Sequence, residues 1–327
     1  MERSQQRESS VKTITISRQS DGQRLDNFLI KELKGVPRSR IYRLIRRGEV
    51  RLNKKRCKPD LKLSIGDRVR IPPVRVSSNI AKAGIISPGF AKILSDSILF
   101  ETEELLVLNK PAGFAVQGGT GIRVNIIDAM REMKSEWREL ELAHRLDRDT
   151  SGCLLFAKKI HVLRELQLQF KLKTVKKVYF AIVHGGWPDN LTVVNAPLLK
   201  NRLSSGERIV KVAKDGKPSE TKFKVIERFK SATMIEARPI TGRTHQIRVH
   251  CQYAGHPIVG DLKYSVDDTN NDLSSVKNLC LHAAEIEFID SSSKKPVRVT
   301  APLDKNLHQI IKKLNSFNTY NYGTYIK

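Results

Sequence analysis

The densest concentration of reactive side chains in this 327-residue chain lies in nine consecutive residues, His144-Arg145-Leu146-Asp147-Arg148-Asp149-Thr150-Ser151-Gly152. Two carboxylates sit among two guanidinium groups on a turn punctuated by Ser151-Gly152, and the apolar run Cys153 to Ala157 follows as a predicted strand. A carboxylate at a strand end, flanked by cations, can stay ionised at neutral pH and serve as nucleophile or base. An ion-pair cluster capping the strand satisfies the same pattern, and on spacing alone it is the simpler reading. Three histidines suggest a metal, but His245 and His250 are five apart rather than the four that align side chains on one helical face. No carboxylate completes a ligand set with His144, so no metal site is expected. The glycine-rich piece Gln117-Gly118-Gly119-Thr120-Gly121 lacks the Gly-Lys-Ser/Thr ending of a phosphate cradle and reads as a loop beside a cleft.

The elements that must hold these groups follow from hydrophobic periodicity. Short runs rich in β-branched and other apolar residues predict strands at Ile98–Phe100, Leu105–Leu108, Cys153–Ala157, Val178–Val183, Thr221–Ile226, Thr233–Ala237 and Leu279–Phe288. Helical spacing appears at Ile126–Met133, His161–Phe170, His245–Tyr253 and Leu307–Leu314. Clustered strands with interspersed helices predict an α+β domain with a mainly antiparallel mixed sheet. Residues 201–217 and 265–277 read as exposed loops, the first basic enough to touch RNA, the second acidic.

Ahead of this domain the pattern differs. Leu25, Phe28, Leu29 and Leu33 form one helical stripe; Ile41, Leu44 and Ile45 form a second, ending at Gly48. Around the second stripe lie Arg38, Arg40, Arg43, Arg46 and Arg47, and Lys54 and Lys55 follow a predicted strand at Glu49–Asn53. A further strand at Asp67–Ile71 completes a helix-helix-strand unit. Residues 22–76 hold 17 Lys and Arg against 5 Asp and Glu, whereas the whole chain holds 59 against 34, a net charge of +25. Nearly half the excess charge therefore sits on about a sixth of the chain, which favours a contact surface for a polyanion over a uniform coat. A membrane-surface role would call for an amphipathic membrane helix, and none is found. The four scattered cysteines suggest neither disulfides nor a zinc site. No basic-then-apolar leader begins the sequence and no run is long enough to cross a bilayer, so a cytoplasmic address is expected.

These residues carry a resemblance. Arg24-Leu25-Asp26-Asn27-Phe28-Leu29, Ser39-Arg40, Leu44-Ile45, Gly48-Glu49-Val50, Asn53 and Gly66-Asp67 resemble, in order, the S4 RNA-binding domain. The segment His144 to Gly152 is similar to the signature of the RluA-type pseudouridine synthases. Further motifs of that family follow its order: Asn109-Lys110-Pro111-Ala112-Gly113, Lys177-Val178-Tyr179, Gly242 to His250, and Leu281-His282-Ala283. The resemblance implies the pseudouridine synthase fold for residues 93–316 and an S4-like domain for 22–76. A linker over 77–92 and tails at 1–21 and 317–327 complete the expected organisation.

It also implies conversion of uridine to pseudouridine, with the likeness strongest to members acting on 23S ribosomal RNA or its precursor. Asp147 matches the catalytic aspartate, Arg248 the basic residue that pairs with it, and Tyr179 the active-site tyrosine facing the flipped uracil. Arg145 matches the position that fills the space a flipped base leaves. An ordinary phenol is a poor base at neutral pH, so Tyr179 is expected either to assist loss of the C5 proton or to stack. Substrate and product are isomers, so no metal, redox group or other cofactor is expected; a monomer is the modest expectation for assembly. Two alternatives remain open: a non-catalytic RNA-binding ribosome-assembly factor, and the same chemistry on transfer RNA.

Overall fold

In a computed structural model, residues 11–33, 36, 38–74, 86–118, 124–202, 208–265, 273 and 275–316 are described, and the chain divides into compact units at Ile85 and Ile86. The smaller unit holds strand β1 (Lys12–Thr15), helices α1 (Leu25–Glu32) and α2 (Arg38–Arg47), and strands β2 (Arg51–Leu52) and β3 (Arg68–Ile71). Leu25, Phe28 and Leu29 of α1 bury with Ile41, Leu44 and Ile45 of α2 in one core, closed by Val69 and Ile71. Each such side chain contributes on the order of 2 kcal/mol, so two short helices suffice only because both stripes meet the sheet.

The sheet runs β1-β3-β2, all antiparallel. Strand β1 lies inside the segment expected as an N-terminal tail. Its Lys-Thr-Ile-Thr sequence is largely exposed and is held by backbone pairing with β3, which leaves little apolar alternation to detect. On α2, the exposed Arg43, Arg46 and Arg47 share one face at spacings of three and four. Arg40 is half-buried, and the side chain of Arg38 lies outside the described residues. Lys54 and Lys55 are exposed at the turn after β2, where Asn53 and Lys54 take φ of 48° and 67°.

The larger unit contains, in order, α3 (Pro88–Asp96), β4 (Ile98–Glu101), β5 (Leu105–Lys110), α4 (Ile126–Met133), β6 (Glu141–Leu142), β7 (Ser151–Ala157) and α5 (Ile160–Leu172). It continues through β8 (Lys176–His184), β9 (Val193–Asn195), β10 (Leu198–Arg202), β11 (Arg208–Val212), β12 (Glu220–Arg228), β13 (Ala232–Pro239), α6 (Gln246–Tyr253), β14 (Leu281–Ile289), β15 (Pro296–Thr300) and α7 (Lys305–Ser316). Ten strands form one sheet in the order β4-β5-β7-β14-β8-β13-β12-β9, with β15 on β14 and β6 on β7. Among the described strands only β7 and β14 pair in parallel, which makes the α+β sheet mixed but mainly antiparallel.

Two segments differ from expectation. Residues 201–217, read as a loop, include most of an antiparallel hairpin, β10 with β11, pinned by Leu198 and Val210 against Val249 and Tyr264. The acidic segment 265–277 lies mostly outside the described residues. So does most of the expected linker, while its end begins α3: Ser87 Oγ accepts from the Phe90 amide at 3.2 Å and Pro88 occupies the first turn. Ser-Pro-Gly reads as a turn when the buried Phe90 and Leu94 that reward a helix are not weighed.

The parallel junction is where the fold and the motif at 144–152 meet. Gly152 has φ of 102°, and a Cβ there would lie 2.2 Å from the Ala283 carbonyl oxygen. Gly152→Ala is therefore expected to cost more than about 2 kcal/mol, since backbone strain and an overlap with backbone act together. A urea midpoint equal to that of the parent would contradict this account.

Candidate active site

Three elements converge on one cleft. Asp147 lies in the turn between β6 and β7, and β7 enters the sheet at Ser151 beside His282 of β14. Ala283 of β14 is also the register partner of Tyr179 on β8, so the parallel junction brings turn and tyrosine together. Helix α6 carries Arg248 to the same place. Arg145, Asp147, Tyr179, His245, Arg248 and Leu281 line the cleft.

The turn is clamped from beneath. Lys110, at the end of β5, is fully buried, and its Nζ donates to the carbonyls of Arg148 and Pro111 at 2.8 Å each. Burial pushes its ammonium down to about 7, with Asp149 and Asp147 opposing that fall. The Gly113 amide donates to the same Arg148 carbonyl at 3.0 Å. This assigns Lys110 and Gly113 of the Asn-Lys-Pro-Ala-Gly motif to holding the turn.

Arg248 donates from Nη1 to Asp147 Oδ2 at 3.2 Å. Its stronger partner is Asp261, which accepts Nε at 2.7 Å and Nη2 at 2.8 Å in a bidentate pair. Asp261 is wholly buried, and sequence reasoning did not single it out. Gly260 delivers it with φ of 74°, where a Cβ would lie 2.0 Å from the Asn278 carbonyl oxygen. A Gly-Asp pair just beyond a basic helix is the only local hint. Burial opposes the charge on Arg248, but Asp261 and Asp147 outweigh it and raise the guanidinium above its ordinary range. The guanidinium also lies 5.0 Å from the centroid of the Tyr264 ring.

Tyr179 is half-buried and lines the cleft. Burial first, and the charge of Asp147 second, push its phenol above the ordinary range. Arg145 is exposed at the cleft rim. Lys177, two residues before Tyr179 on β8, also lines the cleft, and burial pushes its ammonium down to about 8.

The three histidines go to three different environments. His144 Nε2 accepts the Leu155 amide at 3.0 Å; burial, then Lys177, push its imidazole down to about 3. His250 is buried between Ser219 Oγ at 3.1 Å and Thr221 Oγ1 at 2.9 Å. Only His245 reaches the cleft, with Nε2 3.8 Å from Asp147 Oδ2.

Comparison with known proteins identifies the family. Residues 104–253 match the RNA pseudouridylate synthase family and residues 23–69 match the S4 domain. Ribosomal large subunit pseudouridine synthase C of Salmonella typhi is 51% identical over 313 residues, covering 94% of this chain and 98% of that protein. Its namesake from Haemophilus influenzae is 52% identical over 310 residues, covering 94% and 96%. Among solved structures, human RNA pseudouridylate synthase domain containing 4 aligns with a TM-score of 0.56 at 25% identity, over 69% of this chain and 96% of that one. Fold and kinship agree: the chain belongs to the RNA pseudouridine synthase family, in the branch that carries an S4 domain.

Proposed function

We propose that this enzyme isomerises specific uridines of 23S ribosomal RNA, or its precursor, to pseudouridine, with Asp147 as the catalytic carboxylate. The observation that carries the proposal is the meeting of Asp147, Arg248 and Tyr179 in one cleft. The names of its 50–52% identical relatives point to large-subunit RNA.

The reaction breaks the bond from uracil N1 to ribose C1′, turns the base, and joins C5 to C1′. Asp147 acts by adding to C1′ or by taking a proton at C2′, and Arg248 holds its Oδ2. The raised Tyr179 phenol favours a stacking and positioning role over that of a base for the C5 proton. Arg145 at the rim is suited to fill the stack vacated by the flipped uridine, a step that costs a few kcal/mol. We read the enzyme's assembly as a monomer. The cytoplasmic address we assign rests on the ribosomal RNA that its relatives' names point to; no helix among the described residues is long and apolar enough to cross a membrane.

Comparison of pseudouridine maps of large-subunit RNA from cells with and without the gene tests the substrate. Particular positions are expected to lose the modification; an unchanged large-subunit map with sites lost from transfer RNA would overturn it. The exposed Arg43, Arg46 and Arg47, with Lys54 and Lys55, are read as phosphate contacts of the S4 unit. Replacing the three arginines by alanine is expected to make the slope of log K against log salt shallower by about 2, at roughly 0.7 to 0.9 per contact. An unchanged slope in a filter-binding titration would take RNA contact away from this face.

A further inference from the structure

His245 precedes α6 with φ of 53°, a left-handed conformation rare for a residue with a Cβ. That conformation turns its ring toward Asp147, with Nδ1 2.7 Å from the Tyr264 hydroxyl and Nε2 3.8 Å from Asp147 Oδ2. Tyr264 is buried, and its hydroxyl oxygen already accepts the Val210 amide of β11 at 3.0 Å. The hydroxyl proton then has His245 Nδ1 as its acceptor. Were Nδ1 protonated instead, the phenol would hold a buried donor with no acceptor among the described residues, a costly arrangement. The hydrogen bonds therefore select the tautomer with the proton on Nε2, facing the carboxylate. Arg248 Nη1 addresses the same Oδ2 at 3.2 Å, and among the described residues no side chain bonds to Oδ1.

Resting on the reading of Asp147 as the catalytic carboxylate, we propose that His245 is a positioning residue, locked by Tyr264 in its Nε2–H tautomer. It joins Arg248 on Oδ2, so that Oδ1 is the oxygen presented to the ribose. The 3.8 Å gap closes by under an ångström when substrate compresses the cleft, as catalytic hydrogen bonds commonly tighten on binding.

The charged and titratable groups around His245 are Asp147 from the turn, Arg248 from α6, and Asp261, Lys263 and Tyr264 from the segment after it. Burial lowers its pKa most, Asp147 opposes, and Arg248 and Lys263 add to the fall, so the ring is neutral at neutral pH. Protonating the ring consumes the Nδ1 lone pair that receives the Tyr264 proton and, although Nε2–H is kept, sets a full positive charge beside Asp147 Oδ2 that weakens the carboxylate as nucleophile or base. Removing that hydroxyl lifts this bias, and the pKa of His245 moves up toward the ordinary imidazole value.

The test uses the full-length protein and large-subunit RNA under single-turnover conditions. Tyr264→Phe is expected to lower the rate constant about tenfold with RNA affinity unchanged. The acid limb of its pH-rate profile should move to higher pH, a shift that loss of packing alone does not produce. His245→Gln, which keeps a donor, should retain more activity than His245→Ala. In the unaltered protein, 15N spectra of labelled histidine should show His245 protonated at Nε2 and bare at Nδ1. A proton on Nδ1, or a Tyr264→Phe enzyme with parental rate and acid limb, overturns the proposal; the spectrum decides alone should Tyr264→Phe not fold. Full activity of Asp147→Asn would instead bring down the underlying reading. An inactive Asp147→Asn beside fully active Tyr264→Phe and His245→Ala enzymes defeats the positioning role alone.

Discussion

Asp147→Asn is expected to release no tritium above background from large-subunit RNA labelled at uridine C5, a loss of roughly 10³-fold or more. Asparagine matches aspartate in shape and can still accept from Arg248 Nη1, so neither the fold nor RNA affinity should change appreciably. What disappears is the anionic oxygen that either route requires, addition to C1′ or removal of the C2′ proton. The neighbouring carboxylate cannot take its place. Asp149 is paired with Arg148, whose Nε lies 2.9 Å from Oδ1, and both side chains are substantially exposed. Asp149→Asn, removing an exposed pair and one of the charges that support Lys110, should alter the rate by less than about fivefold. Tritium release by Asp147→Asn at the parental rate would remove Asp147 from the chemistry.

The largest effect on stability is expected from Arg248→Met. Asp261 is wholly buried, and its Oδ2 has Arg248 Nε as its side-chain partner; Oδ1 keeps only the backbone amides of Lys263 and Tyr264 at 3.1 and 3.2 Å. Removing the cation strands a buried carboxylate, which costs on the order of 3 to 5 kcal/mol. Urea unfolding followed by far-UV circular dichroism measures it. Adding Asp261→Leu should recover part of the loss, because replacing both charges by apolar groups also removes the stranded charge. A single variant as stable as the parent would show that Asp261 finds another partner or takes up a proton at little cost. Catalysis should fall in the single and the double variant alike, since Asp147 loses its Oδ2 donor in both.

Much of the framework was legible in one dimension. Helix α4 matches the predicted Ile126–Met133, and β7, β8, β12, β13 and β14 each contain most of the run predicted for them. Those elements bury one face or both, and burial writes a period into the sequence that local reading can detect. The elements that escaped, β1, β9, β15 and the hairpin of β10 with β11, are short or half-exposed, and backbone pairing to distant partners holds them. A strand kept by its neighbour's amides carries little pattern of its own.

The nine residues from His144 to Gly152 marked, by themselves, a carboxylate among cations at the entry to a strand, and their resemblance to one signature attached a reaction to it. Tertiary structure decided which groups that carboxylate meets. Arg248 is 101 positions away, and its bidentate grip on Asp261, the seating of Tyr264 against Val210 and the clamp of Lys110 on the turn all join remote segments. Side-chain type and spacing report which charges a chain possesses. Which of them are buried together, and so must pair, depends on where the sheet and α6 remove water, and that is settled only when the chain closes.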